Sequence, residues 1–380
     1  MNREPETPDT SALLHRLFSE NRIRARQGSW LHVVPDDRPR SWDRVEGMLL
    51  GLAIGDALGN QSEGINPEDR ERRHGEIRDY LPNRHAGGAR VGTPSDDSQM
   101  AFWTAEELVA TGRLDPDRLA RRFAHADIFG IGRTVQQFRI HHGFNELPWW
   151  EAGPESAGNG ALMRIAPIVL PHLREPSPAL WHDTALATMI THNDSAALAS
   201  SVAFIALLWD LLCAESAPPG EWYAQRFVAI CAEVETGKHY RPRHDGAPDW
   251  SGPLSAWVRQ QLAAARAECL SVRDAQRRWY SGAYLLETVP TVLYILERHA
   301  HDPEEAIVRA VNDSRDNDTV AAVVGAAVGA LHGASALPRR WRDGLTGRTG
   351  TDDDGAMFRI LEAARARFWE GHGPEPEAGR

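Results

Sequence analysis

Long apolar stretches with helical spacing alternate with short polar segments between about residue 41 and residue 367. Apolar residues recur three and four positions apart, which is the spacing of one face of an α-helix. Apolar and polar residues do not alternate convincingly over more than a few positions, so strand signals are sparse. Length alone would suggest about two domains. The helical pattern instead predicts one compact all-α domain over residues 41–367.

Ser41 is expected to cap the first helix, over 42–58, because a short hydroxyl side chain accepts bonds from free helix amides. Further helices are predicted at 98–111, 115–126, 160–172, 178–190, 195–214, 222–235, 254–268, 281–299 and 303–311. Residues 1–40 are polar and rich in Pro and Arg, which predicts a flexible or loosely attached extension. The composition of residues 368–380 predicts a frayed, flexible tail.

Two of the predicted helices carry glycine at every fourth position. The glycines are Gly51, Gly55 and Gly59 in the first helix, and Gly325, Gly329 and Gly333 in a helix that follows residue 319. Residues four apart share one face of a helix, and glycine allows another backbone to approach that face closely. We therefore expect these two helices to form a central, buried pair.

Charge and lysine content narrow the function classes. The formal net charge is −11, which disfavours nucleic acid as the main partner and leaves only a local basic patch open. Lys238 is the only lysine. This excludes a phosphate-binding loop of the G-x-x-x-x-G-K-[ST] type and leaves no convincing Schiff-base lysine.

The number and spacing of the cysteines, and the apolar segments, indicate the cellular compartment. Cys213, Cys231 and Cys269 are widely spaced and odd in number, which is typical of a reducing environment without a disulfide framework. Residues 1–40 contain no apolar segment of the signal-peptide kind. The uncharged run at 320–337 is dominated by Ala and Gly, which favours a buried helix over a membrane span. We expect a cytoplasmic monomer with no membrane partner.

Two short acidic strings stand where a loop is expected to turn into an apolar helix. The first acidic string is Ser95, Asp96, Asp97 and Ser98, and the second is Asp316, Asn317, Asp318 and Thr319. Carboxylate and hydroxyl oxygens are the ligands that hard divalent cations such as Mg²⁺ prefer. A plain N-cap would explain one Ser or Asp of each string, but not four polar residues in succession. If the fold brings the strings together, they can hold one or two metal ions.

Two further carboxylates lie in or just after the first glycine-lined helix. Asp56 lies inside an apolar, glycine-lined segment and needs a partner there, because burying a lone charge is expensive. It either braces a neighbouring loop or acts behind the metal ligands. Glu63 lies just past the helix between glycines, where an ordinary exposed carboxylate is the simpler interpretation.

Three other polar motifs have simple structural explanations. Gly158, Asn159 and Gly160 precede an apolar segment and either form a plain turn or expose amides to a phosphate. His192 lies between two predicted helices, where a capping or exposed histidine is the default. The pair at 301–302 resembles the His-Asp pair of helical phosphohydrolases, but the following Pro-Glu-Glu favours an ordinary helix start at Asp302.

Taken together, these strings resemble the ADP-ribosylglycohydrolase family, which includes dinitrogenase-reductase-activating and ARH-type enzymes. The matching segments are 51–59 with Glu63, 95–98, 158–164, 191–192 and 316–319, in the family's order within residues 45–335. The resemblance implies a compact all-α bundle with two Mg²⁺ ions in a cleft, Mn²⁺ being the alternative. The metal ligands it implies are Ser95, Asp96, Asp97, Asp316, Asp318 and Thr319.

The same resemblance implies roles for other residues. It makes Glu63 the mobile acidic residue at the scissile bond, and it places Gly158, Asn159 and Gly160 near the diphosphate and His192 near the ADP-ribose. The chain departs from the family in having Ser95 and Ser98 where threonine is common. It also has Asn-Asp-Ser-Arg at 312–315 instead of a glycine-rich segment, and Arg315 is expected to contact phosphate or the modified target.

The expected reaction is hydrolysis at the anomeric carbon of ADP-ribose, with arginine as the first choice of acceptor. Glu63, Asp97 and Asp316 are the candidate proton-handling groups, but their roles are not separated by sequence. Serine-linked, guanine-linked and small-molecule acceptors stay open. Two other functions also stay open: an ADP-ribose-binding or toxin-blocking protein without turnover, and a metal-dependent phosphohydrolase.

Overall fold

The computed structural model describes residues 9–83, 86–243 and 249–372. Within them the α-helices in the first half of the chain are α1 (Thr10–Ser19), α2 (Trp42–Gly59), α3 (Pro67–His74), α4 (Asp96–Thr111), α5 (Pro116–His125), α6 (Arg133–Phe138), α7 (Trp149–Ala152) and α8 (Ala179–Met189). Those in the second half are α9 (Ser195–Cys213), α10 (Gly220–Val234), α11 (Leu254–Ala267), α12 (Val272–Trp279), α13 (Leu285–His299), α14 (Pro303–Asp313), α15 (Asn317–His332), α16 (Arg339–Gly344) and α17 (Ala356–Ala364).

The described residues contain no β-strand, and extended pairing there is limited to isolated bridges such as the one between Gly92 and Leu345. Short 3₁₀ turns occur at Ser29–His32, Asn60–Ser62, Leu162–Arg164, Ala166–His172 and Ala334–Ala336. Single π-turns follow α6 at Arg139–Phe144 and α17 at Arg365–Glu370. The fold is a single helical domain around one core, as predicted.

The predicted pair of glycine helices forms the centre of the molecule. A Cβ on Gly51 would lie 2.1 Å from the carbonyl oxygen of Gly325, and one on Gly329 would lie 1.9 Å from that of Gly47. Side chains at these positions are therefore excluded, and the two backbones are in direct contact. The pairing of early residues of α2 with late residues of α15 makes the helices antiparallel. The C-terminal end of α2 consequently lies beside the N-terminal end of α15.

Most predicted helices are present, but the segment 160–172 is not an α-helix. It forms the 3₁₀ turns Leu162–Arg164 and Ala166–His172. Pro167 and Pro171 lack the amide hydrogen that an α-helical ladder requires there. The helix expected from 281 begins only at Leu285, because Tyr280 and Ser281 have left-handed backbone conformations with φ of 80° and 54°.

Residues 9–40 pack against the domain, so the expectation of a loosely attached extension is wrong for them. Leu13, Leu14 and Leu17 of α1 are buried, and α1 packs against α8. The indole nitrogen of Trp181 in α8 donates to the carbonyl of Val33 at 2.7 Å, which holds the following segment down. The apolar residues of α1 were too few to stand out in a polar segment. Residues 1–8 and 373–380 of the predicted extension and tail lie outside the described residues.

α9 is the one helix among the described residues that is long and apolar enough to cross a membrane by length and composition, with a mean hydropathy of 2.0. Of its most apolar window, 89% is buried inside the protein. The core helix of a soluble protein passes the same test, so the helix is weak support for a membrane span.

Candidate active site

The polar ends of α2, α4 and α15 meet at one side of the domain. Gly59, the last residue of α2, lies against the start of α15. A Cβ on Gly59 would lie 2.5 Å from the Cα of Asp318. The loop after α2 carries Glu63, and the amide of Gly64 donates to the carbonyl of Arg315 at 3.0 Å. The glycine contact between the two helices therefore places Glu63 beside the second acidic string.

Asp56 attaches the start of α4 to this arrangement. Its carboxylate is fully buried and accepts the hydroxyl of Ser95 at 2.6 Å and that of Ser98 at 2.5 Å. The backbone amides of both serines also donate to it, at 2.9 Å and 3.1 Å. Burial raises the pKa of Asp56, and these hydrogen bonds partly offset the rise. Asp56 therefore braces the first acidic string, directly behind the predicted metal ligands.

Neither acidic string uses its first residue as an ordinary helix cap. Ser95 is the N-cap residue of α4 and Asp316 that of α15, and neither makes a side-chain capping bond. Simple capping therefore does not account for these two strings. By contrast, Asp302 caps α14 through the amide of Glu305 at 3.0 Å, so the ordinary helix start predicted there is confirmed.

The carboxylates of the two strings converge. Oxygens of Asp56, Asp97 and Asp318 all lie within 4.8 Å of one another. The same separation holds for oxygens of Glu63, Asp316 and Asp318, so Asp318 belongs to both groups. Two overlapping groups of oxygens at this spacing are able to hold one or two divalent cations.

The remaining predicted ligands lie around these two groups. Asp96 and Thr319 line the same cleft as Glu63. Ser95 lies in the wall of a neighbouring pocket, and its hydroxyl donates to Asp56. A hydroxyl that donates its hydrogen still has lone pairs for a metal, so this contact is compatible with the ligand role predicted for Ser95.

Electrostatics in the cluster favour proton or cation uptake. Burial, followed by repulsion from Asp318 and Asp56, raises the pKa of Asp97 well above its ordinary value. Burial raises the pKa of Asp316 to about 7, with a further contribution from Glu63. Asp97 is 2% exposed, and its Oδ1 atom has no hydrogen-bond partner among the described residues. A buried carboxylate oxygen without a donor is costly, and a bound cation would compensate it.

Glu63 differs from the aspartates because its side chain is exposed at the mouth of the cleft. Partial burial, followed by repulsion from Asp56, raises its pKa. The exposed position and the raised pKa together suit a group that exchanges a proton with a ligand.

Asn159 acts on the second acidic string. Its side-chain amide donates to Asp316 at 2.5 Å and to the hydroxyl of Thr288 at 3.0 Å. The Gly-Asn-Gly segment was predicted to lie near a diphosphate, and all three residues do line the cleft. The Asn159 side chain, however, is committed to orienting the Asp316 carboxylate, which sequence analysis did not anticipate.

His192 is buried in the cleft wall as a neutral imidazole. The Arg164 guanidinium donates to the Thr191 hydroxyl at 2.6 Å, and that hydroxyl lies 2.9 Å from Nδ1 of His192. The Thr191 hydroxyl has two lone pairs and one hydrogen, so it either accepts from Nδ1 as well as from Arg164 or donates to Nδ1, and Nε2 is correspondingly an acceptor or a donor. Burial, followed by repulsion from Arg164, lowers the pKa of His192 to about 3.

The absence of side chains at Gly158 and Gly160 makes room for this imidazole. A Cβ on Gly160 would lie 3.0 Å from Cε1 of His192, and one on Gly158 would lie 3.4 Å from its Nε2. Nε2 of His192 therefore faces the Gly-Asn-Gly segment. Any ligand that reaches this wall meets an uncharged imidazole nitrogen.

The cleft itself has a volume of about 710 Å³ and extends from the carboxylate cluster past His192. Two arginines that sequence analysis missed, Arg133 and Arg243, also line it. The Arg243 guanidinium lies 4.1 Å from the centre of the Tyr284 ring. Neither arginine belongs to a recognisable motif, and only the three-dimensional fold places them opposite the carboxylates.

Arg315 is not among the residues that line the cleft. Its guanidinium lies 4.4 Å from the centre of the Tyr280 ring, and its backbone amide donates to the hydroxyl of Ser281 at 3.1 Å. The predicted contact between Arg315 and phosphate therefore has no support in this geometry. The left-handed turn at Tyr280 and Ser281 instead holds the start of the second acidic string, since the amide of Asp316 donates to the Ser281 carbonyl at 3.1 Å.

Arg70 is a further structural residue that sequence analysis missed. It is fully buried and donates to the carbonyls of Ile65 and Ser314 at 2.8 Å and 2.6 Å. Its Nε atom donates to the hydroxyl of Ser62 at 3.1 Å. The guanidinium therefore ties the loop that carries Glu63 to the segment that leads into Asp316.

A sequence profile of the ADP-ribosylglycohydrolase family matches residues 36–370. The chain belongs to the ADP-ribosylglycohydrolase family. The all-α fold and the class of enzyme expected from the resemblance, an ADP-ribosyl hydrolase, are thereby confirmed.

Named relatives of this ADP-ribosylglycohydrolase support the same class. The ADP-ribosylarginine hydrolase Tri1 of Pseudomonas putida is 28% identical over 79% of this chain and 73% of its own length. ADP-ribosylhydrolase ARH3 of Xenopus tropicalis is 26% identical over 85% of this chain and 96% of its own. A solved structure described as an ADP-ribosylglycohydrolase-related protein complex has 26% identity and a TM-score of 0.61, covering 87% of this chain and 98% of that one.

Proposed function

We propose that this ADP-ribosylglycohydrolase is a Mg²⁺-dependent enzyme that cleaves the bond between ADP-ribose and an arginine side chain. The observation that supports this proposal best is the convergence of Asp97, Asp316 and Asp318 with Glu63 at one end of the cleft. Acidic oxygens in a cleft suit the chemistry of glycosidic cleavage, in which positive charge develops on the sugar ring.

The donor set suits a hard divalent cation. Asp97 has a buried oxygen without a partner among the described residues, and burial raises the pKa values of Asp97, Asp316 and Asp318. In the proposal two Mg²⁺ ions are held by Ser95, Asp96, Asp97, Asp316, Asp318 and Thr319, and Mn²⁺ is the alternative ion. When bound, such ions orient ribose hydroxyls and lower the pKa of a bound water molecule.

The chain's own carboxylates would move the protons. The C1″–N bond of ADP-ribosylarginine breaks, water adds to C1″, and the guanidine leaves with a proton. Glu63 is exposed at the cleft mouth with a raised pKa, which suits protonation of the leaving group or positioning of the ribose. Asp97 or Asp316 would accept the proton of the attacking water.

The other end of the cleft would bind the rest of ADP-ribose. Gly158 and Gly160 expose backbone without a side chain, and Nε2 of the neutral His192 imidazole lies beside them. Arg133 and Arg243 provide positive charge for the diphosphate, which the carboxylate cluster alone would repel. Arginine is preferred as the acceptor because a relative is named an ADP-ribosylarginine hydrolase. We further propose a cytoplasmic monomer.

The test is incubation with defined arginine-, serine- and guanine-linked ADP-ribosylated substrates, scored by mass spectrometry. We expect free ADP-ribose and the restored arginine substrate with Mg²⁺, and neither product with EDTA. Cleavage of only the serine- or guanine-linked substrates would reject arginine as the acceptor. AMP or inorganic phosphate instead of ADP-ribose would indicate a phosphohydrolase. Calorimetric binding of ADP-ribose without any turnover would indicate a binding protein.

A further inference from the structure

A second pocket opens beside Glu63. Its volume is about 390 Å³, and Glu63 lies in its wall as well as in the wall of the main cleft. Ser95, a predicted metal ligand, also lines the second pocket. The two spaces therefore meet at the candidate metal site, with the Glu63 side chain between them.

One buried side chain builds the walls of the second pocket. Gln99 of α4 donates to the carbonyls of Asp127 and Thr349, at 3.0 Å and 3.1 Å, and accepts the amide of Phe129 at 2.9 Å. These bonds fix two distant loops, which carry the pocket residues Phe129 and Arg348. The loop that carries Arg348 is also held to the segment before α4, because the amide of Thr346 donates to the carbonyl of Gly92 at 2.8 Å.

Arg348 lines the second pocket without a direct ion pair among the described residues, and only the more distant carboxylates of Asp56 and Asp353 favour its charge. Its guanidinium lies 4.3 Å from the centre of the Phe129 ring and donates to the carbonyl of Pro94 at 3.3 Å. Its Nε atom has no hydrogen-bond partner, and among the described residues no carboxylate forms an ion pair with it. The hydroxyl of Thr93, a pocket residue that is 6% exposed, also has no partner there.

These features fit the acceptor side of a substrate. A substrate of the proposed reaction has ADP-ribose on one side of the scissile bond and the acceptor on the other. The main cleft is larger and contains His192 and the Gly-Asn-Gly segment, whereas the second pocket, on the other side of Glu63, contains the Arg348 guanidinium. A guanidinium stacked on an aromatic ring is suited to bind a carboxylate through two parallel hydrogen bonds.

We propose that the second pocket binds the acceptor peptide and that Arg348 binds a carboxylate on that peptide next to the modified residue. This inference rests on the proposed function. A peptide is favoured over a nucleic acid because the chain has a net charge of −11 and Arg348 is the one arginine among the described residues that line the pocket. Arg348 is then a specificity residue that selects acidic sequences around the modified arginine.

The test compares two ADP-ribosylarginine peptides that differ only in glutamate or glutamine beside the modified residue. We expect the wild-type kcat/KM to be about tenfold higher for the glutamate peptide, since one charge-assisted pair is lost in the other. Arg348→Gln should remove this preference, mainly through KM, and Arg348→Lys should restore part of it. Arg339→Gln, which removes an exposed arginine of α16, is the matched control and should retain the preference.

Equal kcat/KM for the two peptides, or a preference that survives in Arg348→Gln, would overturn the assignment. Faster Arg348-dependent cleavage of an ADP-ribosylated single-stranded oligonucleotide than of the acidic peptide would overturn the choice of a peptide. If the wild type cleaves none of these substrates, the proposed function fails. Calorimetry with the unmodified glutamate peptide and saturating ADP-ribose then tests whether the second pocket binds the peptide. Binding that Arg348→Gln weakens supports the pocket, and no binding to the wild type rejects it.

Discussion

The end of α2 and the first turn of α4 each bury an aspartate, and the two side chains lie within 4.8 Å of each other. Asp56 is 0% exposed and Asp97 is 2% exposed, and burial raises the pKa of both. They differ in what surrounds them: serine hydroxyls and amides donate to Asp56, whereas Oδ1 of Asp97 has no donor among the described residues. Asp56 is thus a structural brace, and Asp97 is left for a cation.

The largest expected effect comes from Asp97→Asn. The change keeps the shape of the side chain but removes the charge that a metal ion would compensate. We expect Mg²⁺ binding to be lost and kcat to fall by about 10³-fold or more, as for other deletions of electrostatic groups at a reacting centre. Asp316→Ala should have a similar effect. Calorimetric Mg²⁺ titration and a hydrolysis assay measure both quantities, and near-normal turnover at saturating Mg²⁺ would contradict the assignment.

Glu63→Gln should have the next largest effect. Glu63 approaches the cluster from an exposed loop, so its amide analogue should leave Mg²⁺ affinity largely intact. Loss of the exchangeable proton should lower kcat by about 10²-fold or more. The measurement is kcat beside a calorimetric Mg²⁺ titration. A variant that loses the metal but keeps its residual rate would show that Glu63 is a ligand and not a proton-handling group.

In EDTA, Asp56→Asn should lower the free energy of unfolding, whereas Asp97→Asn should not. The side chain of an asparagine at position 56 has only one oxygen that accepts hydrogen bonds. The hydroxyl of either Ser95 or Ser98 therefore loses its partner, because the two hydroxyls bind different oxygens of Asp56. We expect the free energy of unfolding to fall by about 2 kcal/mol. Asp97→Asn removes an uncompensated buried charge and should leave that free energy unchanged or higher. Urea unfolding of both variants in EDTA is the measurement, and equal losses in the two variants would remove the distinction between brace and ligand.

The smallest expected effect is a change in Mg²⁺ stabilisation with pH. The pKa of Asp316 is raised to about 7 by burial, and those of Asp97 and Asp318 are also raised. A carboxyl with a higher pKa in the folded state binds protons more tightly there. Stability without metal should therefore fall as pH rises from about 4, the unfolded value, through about 7.

Mg²⁺ replaces these protons, so it should raise the Tm more at pH 8 than at pH 6, by about 1 °C for each kcal/mol in a chain of this length. Thermal unfolding with Mg²⁺ and with EDTA at both pH values is the measurement. Asp97→Asn serves as the control and should reduce the difference. An equal Mg²⁺ effect at the two pH values would contradict the account of the cluster.

The centre of the fold was predictable because its determinants are local. Glycine at every fourth residue indicates a close helix contact, and the contacts of Gly51 with Gly325 and of Gly59 with Asp318 confirm it. The two acidic strings were predictable as a candidate metal site because four polar residues in succession exceed what a helix cap needs. Their convergence and the role of Asp56 as a brace depend on the fold, which the sequence pattern alone left open.

The periphery of the site was not predictable in the same way. Arg243, Phe129 and Arg348 lie in segments without periodic pattern, and long-range contacts such as those of Gln99 place them at the site. The packing of α1 was missed because a few leucines in a polar segment give a weak signal. The 3₁₀ turns at 162–172 were mistaken for an α-helix, although their two prolines argue against one.

Anomalous diffraction from crystals soaked in Mn²⁺, collected for the wild type and for Asp97→Asn, tests most directly whether the converging carboxylates form a metal centre. Manganese is used because its anomalous signal is strong and it prefers the same oxygen ligands as Mg²⁺. The account predicts one or two peaks in the cleft within coordination distance of Asp97, Asp316 or Asp318, and their loss or weakening in the variant. A cleft without a peak at saturating Mn²⁺, or a peak unchanged in Asp97→Asn, would contradict it.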